Sequence, residues 1–184
     1  MQERIRKEKE TEKENYLSEI KAYHDEAAKE MLSYRLRSIG NQTDNSVFCY
    51  ETTYTMNNLV KKAGPNYILS MGKLLGCQLK LEKQDRNRTA DIHTLSPRTY
   101  KWTVEVKLPS GYQVPTDGLK KQNTQTENEC GCFTVKATCS DNILRLQVTK
   151  KYACKMEDKS RWPKLCEIID AAQHYESASI VLRK

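Results

Sequence analysis

Residues 100–108 read Tyr-Lys-Trp-Thr-Val-Glu-Val-Lys-Leu. Tyr100, Trp102, Val104, Val106 and Leu108 alternate with Lys101, Thr103, Glu105 and Lys107. A period of two with β-branched and aromatic residues on one side is the signature of a half-buried strand. Three further stretches share it. Cys77, Leu79 and Leu81 alternate with Gln78, Lys80 and Glu82; Phe133, Val135, Ala137 and Cys139 with Thr134, Lys136 and Thr138; and Leu144, Leu146 and Val148 with Arg145, Gln147 and Thr149. One apolar and one polar face predict an antiparallel sheet covered on one side. Asp141-Asn142 marks a tight hairpin between the last two strands. Residues 90–94 offer a possible extra strand.

Outward from these strands, the cover is predicted to be helical. Ser160 is a candidate N-cap and Pro163 is tolerated in a first turn. Trp162, Leu165, Ile169, Ala172 and Tyr175 fall on one face at helical spacing, flanked by Cys166 and Ile168. Residues 179–182 are a short apolar tail able to dock as a strand or a helical turn. The polar stretch from Pro109 to Glu129 reads as a long mobile or functional loop.

The N-terminal region reads differently. Residues 2–39 lack Gly and Pro and are rich in Glu, Lys, Arg and Ala, which predicts one long helix. Leu17, Ile20, His24, Ala27, Met31 and Tyr34 follow a 3-4 spacing and would form a coiled-coil dimer seam, with packing on the following domain as the alternative. His24 on that seam reads as a register-setting residue before a pH switch. Residues 40–46 carry turn chemistry. Further helices are expected over residues 52–62, ending at Gly64-Pro65, and over residues 67–75, stopping at Gly76. The division is therefore a coiled-coil helix at 1–40 and an α+β head at 41–184.

The chain has 184 residues with 31 Lys+Arg against 24 Asp+Glu, a formal charge of +7. Residues 1–40 hold nine of each sign, so the excess lies in 41–184. That excess suits an acidic or phosphorylated protein segment or a nucleic acid. Lys61, Lys62, Lys101, Lys107, Arg145, Lys150 and Lys151 are the candidate partner or anion-binding residues, with a plain solvated surface as the alternative. Ten Tyr and two Trp raise base stacking, but Tyr100 and Trp102 fall opposite Lys101 and Lys107 and read as core. No apolar run is long enough for a membrane helix, and the first residues lack an apolar signal core. With seven cysteines, this predicts a reduced, intracellular protein of nucleus or cytoplasm. Asn41-Gln42-Thr43 and Asn87-Arg88-Thr89 match a glycosylation sequon that such a route would leave unused.

Cys130, Cys132, Cys139 and Cys154 are the candidate zinc ligands, four thiolates for a tetrahedral site. Their spacing lacks the knuckle pair of zinc ribbons, and Cys139 falls in the apolar phase of a strand, so no cofactor is the simpler expectation. There is no phosphate-cradling glycine loop and no nucleophile or metalloprotease motif. Asp91 and His93 are two apart, a common pairing that carries little for catalysis. A non-enzymatic protein is expected.

The order of long helix, helix, antiparallel meander and closing helix is similar to an RWD domain. Leu74-Leu75-Gly76-Cys77-Gln78-Leu79-Lys80-Leu81, then residues 90–95, then Lys-Trp-Thr-Val-Glu-Val-Lys-Leu-Pro-Ser-Gly at 101–111 resemble the head of coiled-coil kinetochore and spindle-checkpoint proteins. The resemblance spans residues 67–112. It implies an α+β fold in which an RWD-like antiparallel sheet of about four strands packs on helices behind the coiled coil. It also implies a non-enzymatic adaptor of chromosome-segregation type, dimeric through the coiled coil as homodimer or heterodimer, whose head binds protein partners.

Overall fold

The computed structural model describes residues 15, 28–41, 46–94, 96–153 and 155–184. The described elements are eleven strands, two short α-helices and three 3-10 turns, a mostly β protein. Two compact units divide the chain, residues 1–58 and 59–184.

In the first unit, strands β1 (Ala28–Asn41) and β2 (Ser46–Met56) form an antiparallel ribbon. This overturns the long N-terminal helix over its C-terminal third, and with it the coiled-coil reading of the fold. The physical reason lies in the partner segment. Val47, Phe48, Tyr50, Thr52, Thr53, Tyr54 and Thr55 make β2 a strong strand former. It pairs antiparallel with β1, and that pairing outweighs the helix propensity of residues 28–39. Arg37 and Glu51 tie the two strands by an ion pair of 2.8 Å. Met31 and Tyr34 lie on β1, where a spacing of three defines no common stripe. Leu17, Ile20, His24 and Ala27 lie outside the described residues. Residues 40 and 41 belong to the paired strand, so the observed boundary falls at 58/59 instead.

The second unit opens with β3 (Val60–Ala63) and β4 (Asn66–Ser70), a hairpin turned by Gly64 at φ 61°. The helices expected over 52–62 and 67–75 are thus strands, followed by a 3-10 turn at Gly72–Leu75. The segment from Cys77 to Glu82 has the alternation of a strand, but among the described residues no strand pairs with it, and it is irregular. After β5 (Ile92–His93) comes β6 (Arg98–Lys107). The long polar stretch is ordered: it holds helix α1 (Thr116–Gln122) and strand β7 (Thr124–Asn128). Gln122 is buried because its amide nitrogen donates to the Ser179 carbonyl at 2.9 Å and its oxygen accepts from the Tyr175 hydroxyl at 3.3 Å.

Strands β8 (Gly131–Ser140) and β9 (Ile143–Tyr152) follow as expected, joined at Asp141 and Asn142 with φ 50° and 59°. Two consecutive positive φ values make the turn whose twist matches that of the flanking strands. The four-stranded sheet runs β6-β9-β8-β7, antiparallel throughout. β10 (Met156–Glu157) pairs with β5. Helix α2 (Trp162–Tyr175) roofs the sheet, as its spacing predicts. Ser160 does not cap it: the N-cap position is Arg161, without a side-chain cap, and Ser160 lies in the preceding 3-10 turn (Lys159–Arg161), which Asp158 caps by accepting from the Ser160 amide at 2.8 Å. The tail docks as β11 (Ser179–Leu182) against β4, giving a second sheet ordered β11-β4-β3.

The core lies between α2 and the inner face of the four-stranded sheet. Phe133, Val135, Leu144, Leu146 and Val148 are sealed below it, and Leu165, Ile168, Ile169 and Ala172 above. Gly72 closes one end. A Cβ there would run into the Tyr175 and Glu176 carbonyls at the end of α2. We expect G72A to lower stability by about 2 kcal/mol or more, the cost of overpacking a rigid backbone contact, read as a lower urea midpoint with an unchanged slope.

Candidate anion-binding faces

The register of the four-stranded sheet decides which cations meet. On its outer face, Glu105 stands opposite Arg145 and Arg145 opposite Thr138. The next rows are Thr103–Gln147–Lys136, Lys101–Thr149–Thr134–Gln125 and Thr99–Lys151–Cys132–Glu127. Lys107 lies at the far end of β6, opposite Ile143. Neighbouring strands are about 4.8 Å apart and alternate residues about 6.7 Å. Lys101, Lys107, Lys136, Arg145 and Lys151 therefore rise from one plane, and all are exposed. Only Glu105 and Glu127 oppose them on that face. Arg145 donates to Glu105 at 2.6 and 2.8 Å, which leaves four lysines against one carboxylate. Five threonines (99, 103, 134, 138 and 149) fill the ground between them.

The structure thus brings together four of the seven basic residues singled out from sequence and adds Lys136. Lys61 and Lys62 are exposed on β3, in the other sheet. Lys150 is on the opposite, inner face, in phase with Leu144, Leu146 and Val148, and only 8% exposed. It is no part of a solvated basic surface. Its ammonium donates to the Gln78 side-chain oxygen at 3.0 Å and lies 5.4 Å from the centre of the Tyr152 ring. The Arg98 guanidinium is 5.9 Å from the same ring. Tyr100 and Trp102 stack beside them, centroids 5.9 Å apart and planes 21° from parallel. Burial, and then the Arg98 charge, push the Lys150 amine below the ordinary lysine value. Arg98 and Gln78 carry no sequence signal as its partners; the inner placement of Lys150 does carry one, missed in the grouping of basic residues, since it continues the alternation of β9 by one more step.

The candidate zinc ligands among the described residues do not assemble. Cys132 projects from the outer face of β8 and Cys139 from the inner, seven residues along one strand, or about 23 Å. Cys130 is buried, its sulfur 3.9 Å from the Arg161 carbonyl, and burial pushes its thiol up. Cys154 lies outside the described residues. Among the described residues no group of three or more His, Cys, Asp or Glu could hold a metal ion. Asp91 accepts from the Lys159 amide at 3.2 Å and so holds a turn rather than His93. His93 and His174 are exposed; His24 lies outside the described residues.

An open cleft of about 480 Å³ lies between the segment 79–90 and Trp162. Of the two cations that line it, Lys80 pairs with Glu82, and Arg88 sits 5.0 Å over the Trp162 ring and donates to the Ala90 and Asp91 carbonyls. Trp162 in turn donates to the Asp85 carbonyl at 2.8 Å. These contacts, with the Arg86–Asp170 pair at 2.9 and 3.0 Å, pin the segment to α2. Among the described residues no helix is long and apolar enough to cross a membrane. No family model, no curated protein and no solved structure matches the chain.

The buried amine makes a testable case. Between its depressed folded value and the ordinary lysine value, the unfolded chain holds the extra proton, so stability rises with pH across that window. Below it the full desolvation penalty remains. K150M is expected to raise stability at neutral pH by about 1 kcal/mol. The gain should shrink as pH climbs toward the ordinary lysine value, in urea melts followed across alkaline pH.

Proposed function

We propose that the chain is a non-enzymatic binding module that takes an acidic polypeptide segment on the outer face of the four-stranded sheet. The observation that carries this reading is the coplanar set of Lys101, Lys107, Lys136 and Lys151, with Arg145 held upright by Glu105. A flat face with lysines at strand spacing and threonine hydroxyls between them offers both charge and hydrogen-bond partners to carboxylates or phosphorylated side chains.

A polypeptide is favoured over a nucleic acid by where the aromatics stand. The outer face of the sheet carries none. Tyr100 and Trp102, on the inner face, stack on each other and leave no slot between them for a base. Lys150 beside them is too buried to meet a phosphate backbone.

A fluorescent acidic peptide, with and without phosphoserine, is expected to bind the full chain at low salt and to weaken steeply as salt rises. K136E/K151E should weaken it at least about tenfold, because two attractive contacts become repulsive. A single-stranded oligonucleotide should bind more weakly than the peptide at equal salt. No peptide binding at low salt, or binding indifferent to the double reversal, would overturn the reading.

A further inference from the structure

β6 is the outermost strand of its sheet, and among the described residues no strand pairs with its far edge. It is ten residues long, its register with β9 runs without a shift, and its prolines, Pro97 and Pro109, stand outside it. Of the devices that guard sheet edges, β6 has charged side chains, Lys101, Glu105 and Lys107, but no bulge, internal proline or brevity. The roof also stops short of it. Leu144, Leu146 and Val148 on β9 are 0–2% exposed, whereas Val106, Val104 and Trp102 directly opposite them are only half-buried, and Tyr100 is 39% exposed. An apolar strip and a row of free backbone groups thus lie side by side.

The sequence of that edge is complementary to itself. Reversed about Thr103, Lys-Trp-Thr-Val-Glu places a glutamate on the lysine and a valine on the tryptophan. We infer that two copies of this chain pair antiparallel along β6, with the two-fold axis at Thr103, into one continuous eight-stranded sheet. Lys101 then faces Glu105 of the second copy, Trp102 faces Val104 of the second copy, and Tyr100 faces Val106 of the second copy. Directly opposed residues share a face in an antiparallel pair. The charges therefore meet on the outer side and the half-buried strip closes on the inner side. Glu105 becomes the middle of a cation–anion–cation row between its own Arg145 and the incoming lysine. Charge also selects the register, since an axis at Val104 would oppose Lys101 with Lys107 of the second copy. Lys107, Lys136 and Lys151 of both copies remain on the joined outer face.

Sedimentation of the full chain over a range of concentrations tests this, under reducing conditions because Cys49 and Cys77 are exposed. A reversible dimer is expected. K101E and E105K each place like charges opposite each other twice, and each should raise the dissociation constant at least about tenfold. An equimolar mixture of the two restores both attractive pairs and should recover the dimer. Amide exchange along β6 in the unaltered chain should slow as concentration rises, a readout independent of how the variants fold. A monomer at every concentration overturns the inference. So does a dimer indifferent to both reversals, or a mixture that fails to reassociate.

Discussion

Strand β9 is the member of the sheet on which the rest depends. It is paired on both sides, and Leu144, Leu146 and Val148 are shut beneath α2. The Asp141-Asn142 turn fixes its register with β8, and that register fixes which side chains share a face. A slip of one residue would exchange the leucines for Arg145 and Gln147. Core and basic surface are therefore one constraint seen from two sides: the period that buries the leucines also lifts Arg145 and Lys151 into solvent.

What could be read from sequence follows from how local the deciding interactions are. β6, β8, β9 and the helix 162–175 carry their burial pattern within themselves and stand where the alternation and the 3-4 spacing put them. Residues 28–39 fail this test. Their composition suits a helix, and only pairing with Ser46–Met56 makes them a strand. Residues 77–82 fail it the other way, alternating like a strand although among the described residues no strand pairs with them. The outer face was half legible: the phase of Lys101, Lys107, Arg145 and Lys151 is in the sequence, but their adjacency needs the strand order. Lys150 stands apart from the other basic residues because neighbours on a strand point to opposite sides, and its phase is that of Leu144, Leu146 and Val148. The expected resemblance to RWD heads rested on the order of predicted helices, and that order does not hold over residues 28–41, 46–56, 60–63 and 66–70, which are strands. The chromosome-segregation setting came with the resemblance alone and forms no part of the present reading.

The long ribbon of the first unit belongs to a class of structure that is weak by itself. Two strands without a third, or without a covering layer, bury little. Leu32, Val47 and Phe48 are 43–73% exposed. Among the described residues, the contacts that hold it include ladder bonds, the Arg37–Glu51 pair and ring contacts such as Phe48–Tyr50 at 5.6 Å.

The second sheet has a consequence for how the molecule forms. β4 draws its neighbours from opposite ends of its unit: β3 within a few residues, and β11 more than a hundred residues later. Closing so large a loop is slow compared with making a local hairpin. The hairpin of β3 and β4 must therefore wait, with Leu69 on a bare margin, until α2 is in place and the last strand arrives. During synthesis that margin is a hazard for cross-pairing between nascent chains, and the arrival of Ile180 and Leu182 is what removes it.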